Sequence, residues 1–152
     1  MIGSDQELTA YCGLFCGDCL RFHSKVSKLA QELSEALEQA RFEDYAQVKS
    51  AALPEFRRYP EIIAGLKAMS SLHCGTPCRQ GGDGCTKPCE IKACVQSQGL
   101  FGCWQCSDLA RCRKFDFLQP VCGEAPRKNL LKIKEHGLEN WAPYREKYYP
   151  WL

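Results

Sequence analysis

Cysteine is the feature that most constrains how this chain can fold. Twelve of its 152 residues are cysteine, and nine of the twelve lie between residues 72 and 122. The same stretch carries many glycines and prolines and lacks the apolar periodicity from which a helix or a sheet builds a broad buried face. Its order must therefore come from the cysteines themselves, through disulfides or through bound metal.

The beginning of the chain and its hydropathy favour metal. The opening residues, Met1 to Glu7, lack the charged and apolar regions of a secretory signal peptide. No uninterrupted apolar run approaches the roughly 18 residues that a membrane span needs. We therefore expect a cytoplasmic protein with no membrane association, whose thiols stay reduced and are available to bind metal.

The pattern of apolar residues predicts a mainly α protein, a small helical domain with irregular cysteine-rich metal-binding loops. Leu29, Leu33 and Leu37 recur at helical spacing and predict an amphipathic helix over about 24–49. Further helices are predicted over about 60–71 and 126–137, and no stretch alternates as a strand does. The length suits one domain, 1–152, with a helical part 20–72, a cysteine-rich part 73–122 and a C-terminal helical part 123–152.

One group of cysteines has the spacing of a closed zinc site. Cys89 and Cys94 form a first pair, and after eight residues Cys103 and Cys106 form a second. Two residues between cysteines let both sulfurs reach one ion at about 2.3 Å. This spacing is typical of structural four-cysteine zinc sites, and we expect these four residues to form one.

A second group, Cys12, Cys16 and Cys19, places three sulfurs on one loop with no fourth cysteine nearby. A closed site would need a distant ligand. Cys112 is the first choice, since the other late cysteines are assigned to the first group. Cys78 is the second choice, and His23 is a further alternative.

Zinc is the expected metal, with at least two ions, because one four-cysteine site would leave eight thiols unexplained. A closed [4Fe–4S] cluster is the alternative, since four thiolates suit it equally well. The compact cysteine run of bacterial ferredoxins is absent from the sequence.

The sequence offers no mechanism for an enzyme. It has no nucleophile beside an orienting base, no phosphate-binding glycine loop and no pair of catalytic carboxylates. Another protein is therefore the expected partner. Nucleic-acid binding through the basic residues near 111–114 and 127–134 is a weaker alternative, because these charges would compensate anionic thiolate sites. Asp18, beside a cysteine pair, is expected to be solvated.

Four short motifs resemble those of the domain of unknown function 3795 family. They read CGLFCGDC at 12–19, PCEIKAC at 88–94, CWQC at 103–106 and GLENW at 137–141. The members are small cysteine-rich prokaryotic proteins, and the resemblance implies zinc binding without naming a reaction. A Cys-Arg pair at 78–79 and a lone cysteine at 112 also match the family pattern, whereas Cys74 and Cys122 fit it poorly.

The sequence therefore predicts a zinc-binding structural or protein-interaction module. The alternative function is an iron–sulfur protein in electron transfer or in support of an anaerobic enzyme. Ten cysteines are the candidate metal ligands: Cys12, Cys16, Cys19, Cys78, Cys85, Cys89, Cys94, Cys103, Cys106 and Cys112.

Overall fold

The computed structural model describes residues 4–82, 85, 88–147 and 149. In this part of the chain the α-helices are α1 (Asp5–Leu8), α2 (Leu20–His23), α3 (Val26–Gln39), α4 (Phe42–Lys49), α5 (Tyr59–Ser70), α6 (Glu90–Ser97), α7 (Gln119–Cys122) and α8 (Ala125–His136). Short 3-10 turns join several of them. The described residues contain no strand beyond an isolated antiparallel bridge between Thr9 and Phe15. The prediction of a small, mainly α fold is confirmed.

The chain divides into two compact units. The cysteine unit comprises Met1–His23 and Cys74–Leu152, and the helical unit comprises Ser24–His73. All twelve cysteines belong to the cysteine unit. The single-domain assignment stays a prediction. Among the described residues, no helix has the length and apolar character needed to cross a membrane.

The helical unit consists of α3, α4 and α5. The helix expected over 24–49 is interrupted at Arg41, whose φ of 49° is left-handed and ends the regular helical path. On α3 the small residue Ala30 is buried, whereas Leu29 stays 58% exposed. On α5, Leu66 is buried, whereas Met69 is exposed. The apolar periodicity thus located the helices better than it identified their buried faces.

The core of the cysteine unit forms around α8 and the segment that follows it. Trp141 and Leu130 are fully buried, and the Trp141 Nε1–H donates a hydrogen bond to Thr9 Oγ1 at 2.9 Å. The buried Asn129 side chain donates to the carbonyl of Glu146 and accepts from its N–H. These bonds fix the N-terminal residues to the segment after α8 and fix that segment to α8.

The predicted C-terminal helical part, 123–152, is helical only as far as His136. Gly137 follows with a φ of 76°, a value that favours glycine, and its N–H bonds to the carbonyl of Ile133 at 2.9 Å. The chain then makes a turn and a short 3-10 helix over Ala142–Tyr144. Residues 148 and 150–152 of that prediction lie outside the described residues.

Candidate metal centres

The cysteines of this protein line two cavities. All twelve are free thiols in the structure. The smaller cysteine cavity, of about 30 Å³, is lined by Cys94, Cys103, Cys106 and Cys112. The larger cysteine cavity, of about 260 Å³, is lined by Cys12, Cys16, Cys19, Cys74, Cys78, Cys85, Cys89 and Cys122.

Three local structures position the thiols of the smaller cavity. Cys94 lies on α6, and Cys103 begins a 3-10 turn in which the N–H of Cys106 bonds to the Cys103 carbonyl at 3.1 Å. A second 3-10 turn, Leu109–Arg111, ends at Cys112. The remaining lining is mostly apolar and includes no histidine or carboxylate among the described residues. Among the described residues the cavity therefore combines four soft sulfur donors with one cationic side chain, Lys114.

The buried Cys103 thiol of the smaller cavity lies in a low-dielectric environment. Burial, and next the nearby thiols of Cys112 and Cys106, raise the pKa of Cys103 to about 12. A thiol with so high a pKa stays protonated at neutral pH. A divalent cation among the thiols of this cavity would favour the thiolates, because its charge offsets their mutual repulsion.

An arginine of α8 holds the Cys112 turn in place. Arg127 donates from Nη1 to the carbonyl of Leu109 at 2.7 Å and from Nη2 to the carbonyl of Cys112. Its guanidinium also lies 5.0 Å from the ring centroid of Phe115. Both carbonyls of the turn that positions Cys112 are thus tied to the helix that carries the core.

The loop that carries the first three cysteines is shaped by a 3-10 turn and a glycine. The N–H of Cys19 bonds to the carbonyl of Cys16 at 3.0 Å, as in the Cys103–Cys106 turn. Gly13 has a φ of 87°, and a Cβ there would lie 2.6 Å from the carbonyl oxygen of Pro126. Only glycine satisfies both constraints, so the loop approaches the backbone of α8 closely at this point.

Hydrogen-bond donors and cations surround the thiols of the larger cavity. The backbone N–H of Leu14 donates to the Cys12 sulfur, and that of Tyr11 donates to the Cys78 sulfur. Arg21 and Lys92 belong to the lining. These groups would stabilise negative charge on sulfur.

Burial is the main influence on the thiols themselves. It raises the pKa of Cys12 and Cys16 well above the ordinary value, and it raises that of Cys85 to about 11. Cys78 and Cys85 are electrostatic neighbours of both Cys12 and Cys16. Thiols from separate parts of the chain therefore converge on this cavity.

A largely buried ion pair anchors the first cysteine loop. Arg145 donates to both carboxylate oxygens of Asp18, at 2.6 and 2.7 Å, and the Asp18 side chain is only 10% exposed. The Arg145 guanidinium lies 4.6 Å from the ring centroid of Phe15. The expectation that Asp18 is solvated is therefore wrong. Arg145 lies 127 positions away along the chain, and no local sequence signal pointed to this partner.

Arg79 links the two cysteine groups. It donates to the carbonyls of Thr9 and Phe101, at 2.8 and 3.0 Å, and its guanidinium lies 4.7 Å from the ring centroid of Tyr11. Two buried arginine nitrogens, Arg79 Nη2 and Arg21 Nε, have no hydrogen-bond partner within the described residues. Such donors beside sulfur-rich cavities suit an acceptor that a bound anionic centre would supply.

The structure groups the cysteines differently from the sequence-based prediction. Cys89 lines the larger cavity and not the one that Cys94, Cys103 and Cys106 line. Cys89 is the extended N-cap residue of α6, whereas Cys94 lies within the helix, so the two cysteines have different backbone settings. Cys112 takes the fourth place in the smaller cavity.

The first cysteine loop shares its cavity with Cys78, the second choice from the sequence, and not with Cys112. His23 is exposed and is not part of the lining. Cys74 and Cys122, which the sequence left out of the candidate ligands, do line this cavity. Lining thiols are not yet ligands, because no three His, Cys, Asp or Glu side chains in the described ranges are arranged to hold an ion. Binding would require the thiols to move closer together.

Comparison with known proteins gives one match. No curated protein and no solved structure matches the chain. The family model described as protein of unknown function (DUF3795) matches residues 8–117, which span both cysteine groups from Cys12 to Cys112. The match covers well over half of the chain, and this protein therefore belongs to the DUF3795 family.

Proposed function

We propose that this protein is a zinc-binding structural module that serves to bind another protein. The observation that carries the proposal is the smaller cysteine cavity, where four thiols, and no other strong metal ligand among the described residues, line a space of about 30 Å³. Four sulfurs and no open position are the donor set of a structural zinc site, whereas catalytic zinc keeps a position for water. A closed site contributes shape rather than chemistry, which favours a protein partner over a substrate.

In this proposal Cys94, Cys103, Cys106 and Cys112 hold the ion. Zinc supplies a positive charge that binds four thiolates at about 2.3 Å and links three chain segments. The associated free energy is on the order of 10 kcal/mol in small zinc domains, comparable to the whole stability of a domain. Arg127 orients the Cys112 turn through its carbonyls. A reducing compartment such as the cytoplasm would keep these thiols available.

The larger cavity supports a second metal centre. Eight thiols line it, twice the number that one tetrahedral ion uses. The sequence left zinc and a [4Fe–4S] cluster as alternatives for these cysteines.

The experiment compares metal content and stability in three forms of the full chain: wild type, Cys106→Ser and Cys122→Ser. All are purified without oxygen. We expect Cys106→Ser to lose one equivalent of zinc and to unfold at lower urea concentration. Cys122→Ser is the matched control, since it changes a buried cysteine that does not line the smaller cavity. Equal zinc content in wild type and Cys106→Ser would refute the proposed site.

A further inference from the structure

The two cysteine cavities differ most in size. The larger one has about 260 Å³ against about 30 Å³ for the smaller. A single ion bound by four thiolates draws its sulfurs to about 3.8 Å from one another, as tetrahedral geometry at a 2.3 Å bond length requires. A single ion with its four sulfurs therefore does not fill the larger cavity. A cluster brings inorganic atoms of its own, and the larger cavity has room for them.

Four of the thiols that line the larger cavity are the candidate ligands of such a cluster. Cys12 and Cys16 come from the first cysteine loop, and Cys78 and Cys85 come from the segment after the helical unit. Cys78 and Cys85 are both electrostatic neighbours of Cys12 and of Cys16. The four sulfurs thus reach the same cavity from two separate chain segments.

The charges around the cavity suit a moderately anionic centre. A [4Fe–4S] core of charge +2 with four thiolates carries a net charge of −2, and the lining contributes two cations, Arg21 and Lys92. Two independent zinc sites built from all eight thiolates would carry −4 in the same surroundings. Arg79 adds a third cation beside Cys78, and the cluster is the less anionic of these two occupants.

Hydrogen-bond donors point to sulfur acceptors as well. The N–H groups of Leu14 and Tyr11 already donate to the sulfurs of Cys12 and Cys78. The buried Arg21 Nε has no partner among the described groups, and sulfide at the cavity would accept from it. Hydrogen bonds to cluster and cysteine sulfurs are a general feature of protein-bound iron–sulfur centres.

We propose that the larger cysteine cavity binds one [4Fe–4S] cluster through Cys12, Cys16, Cys78 and Cys85. This inference depends on the larger cavity alone, so it stands or falls independently of zinc at the smaller one. Cys19, Cys74, Cys89 and Cys122 stay thiols around the cluster.

The test is anaerobic reconstitution of the reduced full chain with ferrous iron and sulfide, followed by removal of unbound ions. We expect about four iron and about four sulfide ions per wild-type chain. We also expect a brown colour and a paramagnetic signal after one-electron reduction. Iron without equimolar sulfide, or zinc alone in both cavities after the same treatment, would overturn the proposal whatever the variants do.

Four Cys→Ser variants test which cysteines are ligands of the cluster. Cys16→Ser and Cys78→Ser are expected to retain less than about one quarter of the wild-type iron and to lose the paramagnetic signal while keeping zinc, which shows that the smaller site remains folded. Cys122→Ser, at a buried position on the same cavity, should keep the cluster. Cys106→Ser should lose zinc and keep iron. Full cluster content in Cys16→Ser and Cys78→Ser would refute the ligand assignment.

Discussion

The ion pair between Asp18 and Arg145 should be a principal support of the first cysteine loop. Its two hydrogen bonds measure 2.6 and 2.7 Å, and the side chains are only 10% and 23% exposed. Two unit charges about 4 Å apart attract each other by about 4 kcal/mol at an effective dielectric constant near 20. Desolvation of both groups offsets part of this attraction. We therefore expect a net coupling of about 2 kcal/mol.

The assay is a double-mutant cycle on the full chain. Asp18→Ala, Arg145→Ala and the double variant are unfolded in urea at one fixed concentration of free zinc. Each single variant should lose about 3 kcal/mol, since it leaves the other charge poorly solvated and unpaired. The double variant should be more stable than the sum of the two losses predicts, by the coupling energy.

An exposed pair of the same chemistry is the control. Arg113 and Asp116 are 3.3 Å apart, with side chains 92% and 58% exposed. Solvent screening should reduce their coupling to less than about 0.5 kcal/mol. Additive losses of unfolding free energy in Asp18→Ala and Arg145→Ala would refute the reasoning from burial. A coupling energy for the exposed pair as large as that of the Asp18–Arg145 pair would refute it as well.

Two further predictions concern the loops that carry the cysteines. Gly13→Ala should destabilise the protein by more than about 2 kcal/mol, because a left-handed φ is combined with the close carbonyl of Pro126. Gly99→Ala is the control, since Gly99 has a φ of 64° and open space around it, and it should lower the stability by about 1 kcal/mol. Equal urea midpoints for the two variants would contradict this. Arg127→Lys should weaken zinc binding about tenfold in a competition titration with a chelator, since lysine cannot hold both carbonyls of the Cys112 turn, whereas Arg113→Lys should leave zinc affinity unchanged. Unchanged zinc affinity in Arg127→Lys would show that this arginine does not support zinc binding through the Cys112 turn.

The sequence predicted the class of fold because helical periodicity is a local property. Leu29, Leu33 and Leu37 located α3 by spacing alone. The break at Arg41 depends on a left-handed conformation that this residue type rarely adopts, so no residue preference announced it. The exposure of Leu29 likewise follows from packing within the helical unit, which a one-dimensional pattern does not contain.

The grouping of the cysteines depends on three-dimensional information that spacing lacks. Cys89 and Cys94 look like a ligand pair in sequence, but in the structure they line different cavities. Cys112 joins Cys103 and Cys106 through a turn held by Arg127. The bond between Arg127 and the Cys112 carbonyl has no signature in sequence spacing.

The most direct test of the closed zinc site is X-ray absorption at the zinc edge on the wild-type protein purified without oxygen. A closed site of Cys94, Cys103, Cys106 and Cys112 predicts a first shell of four sulfur atoms at about 2.3 Å with no nitrogen or oxygen. A first shell that contains an oxygen or nitrogen ligand would contradict the closed four-thiolate site, and so would the absence of zinc from protein whose thiols are fully reduced.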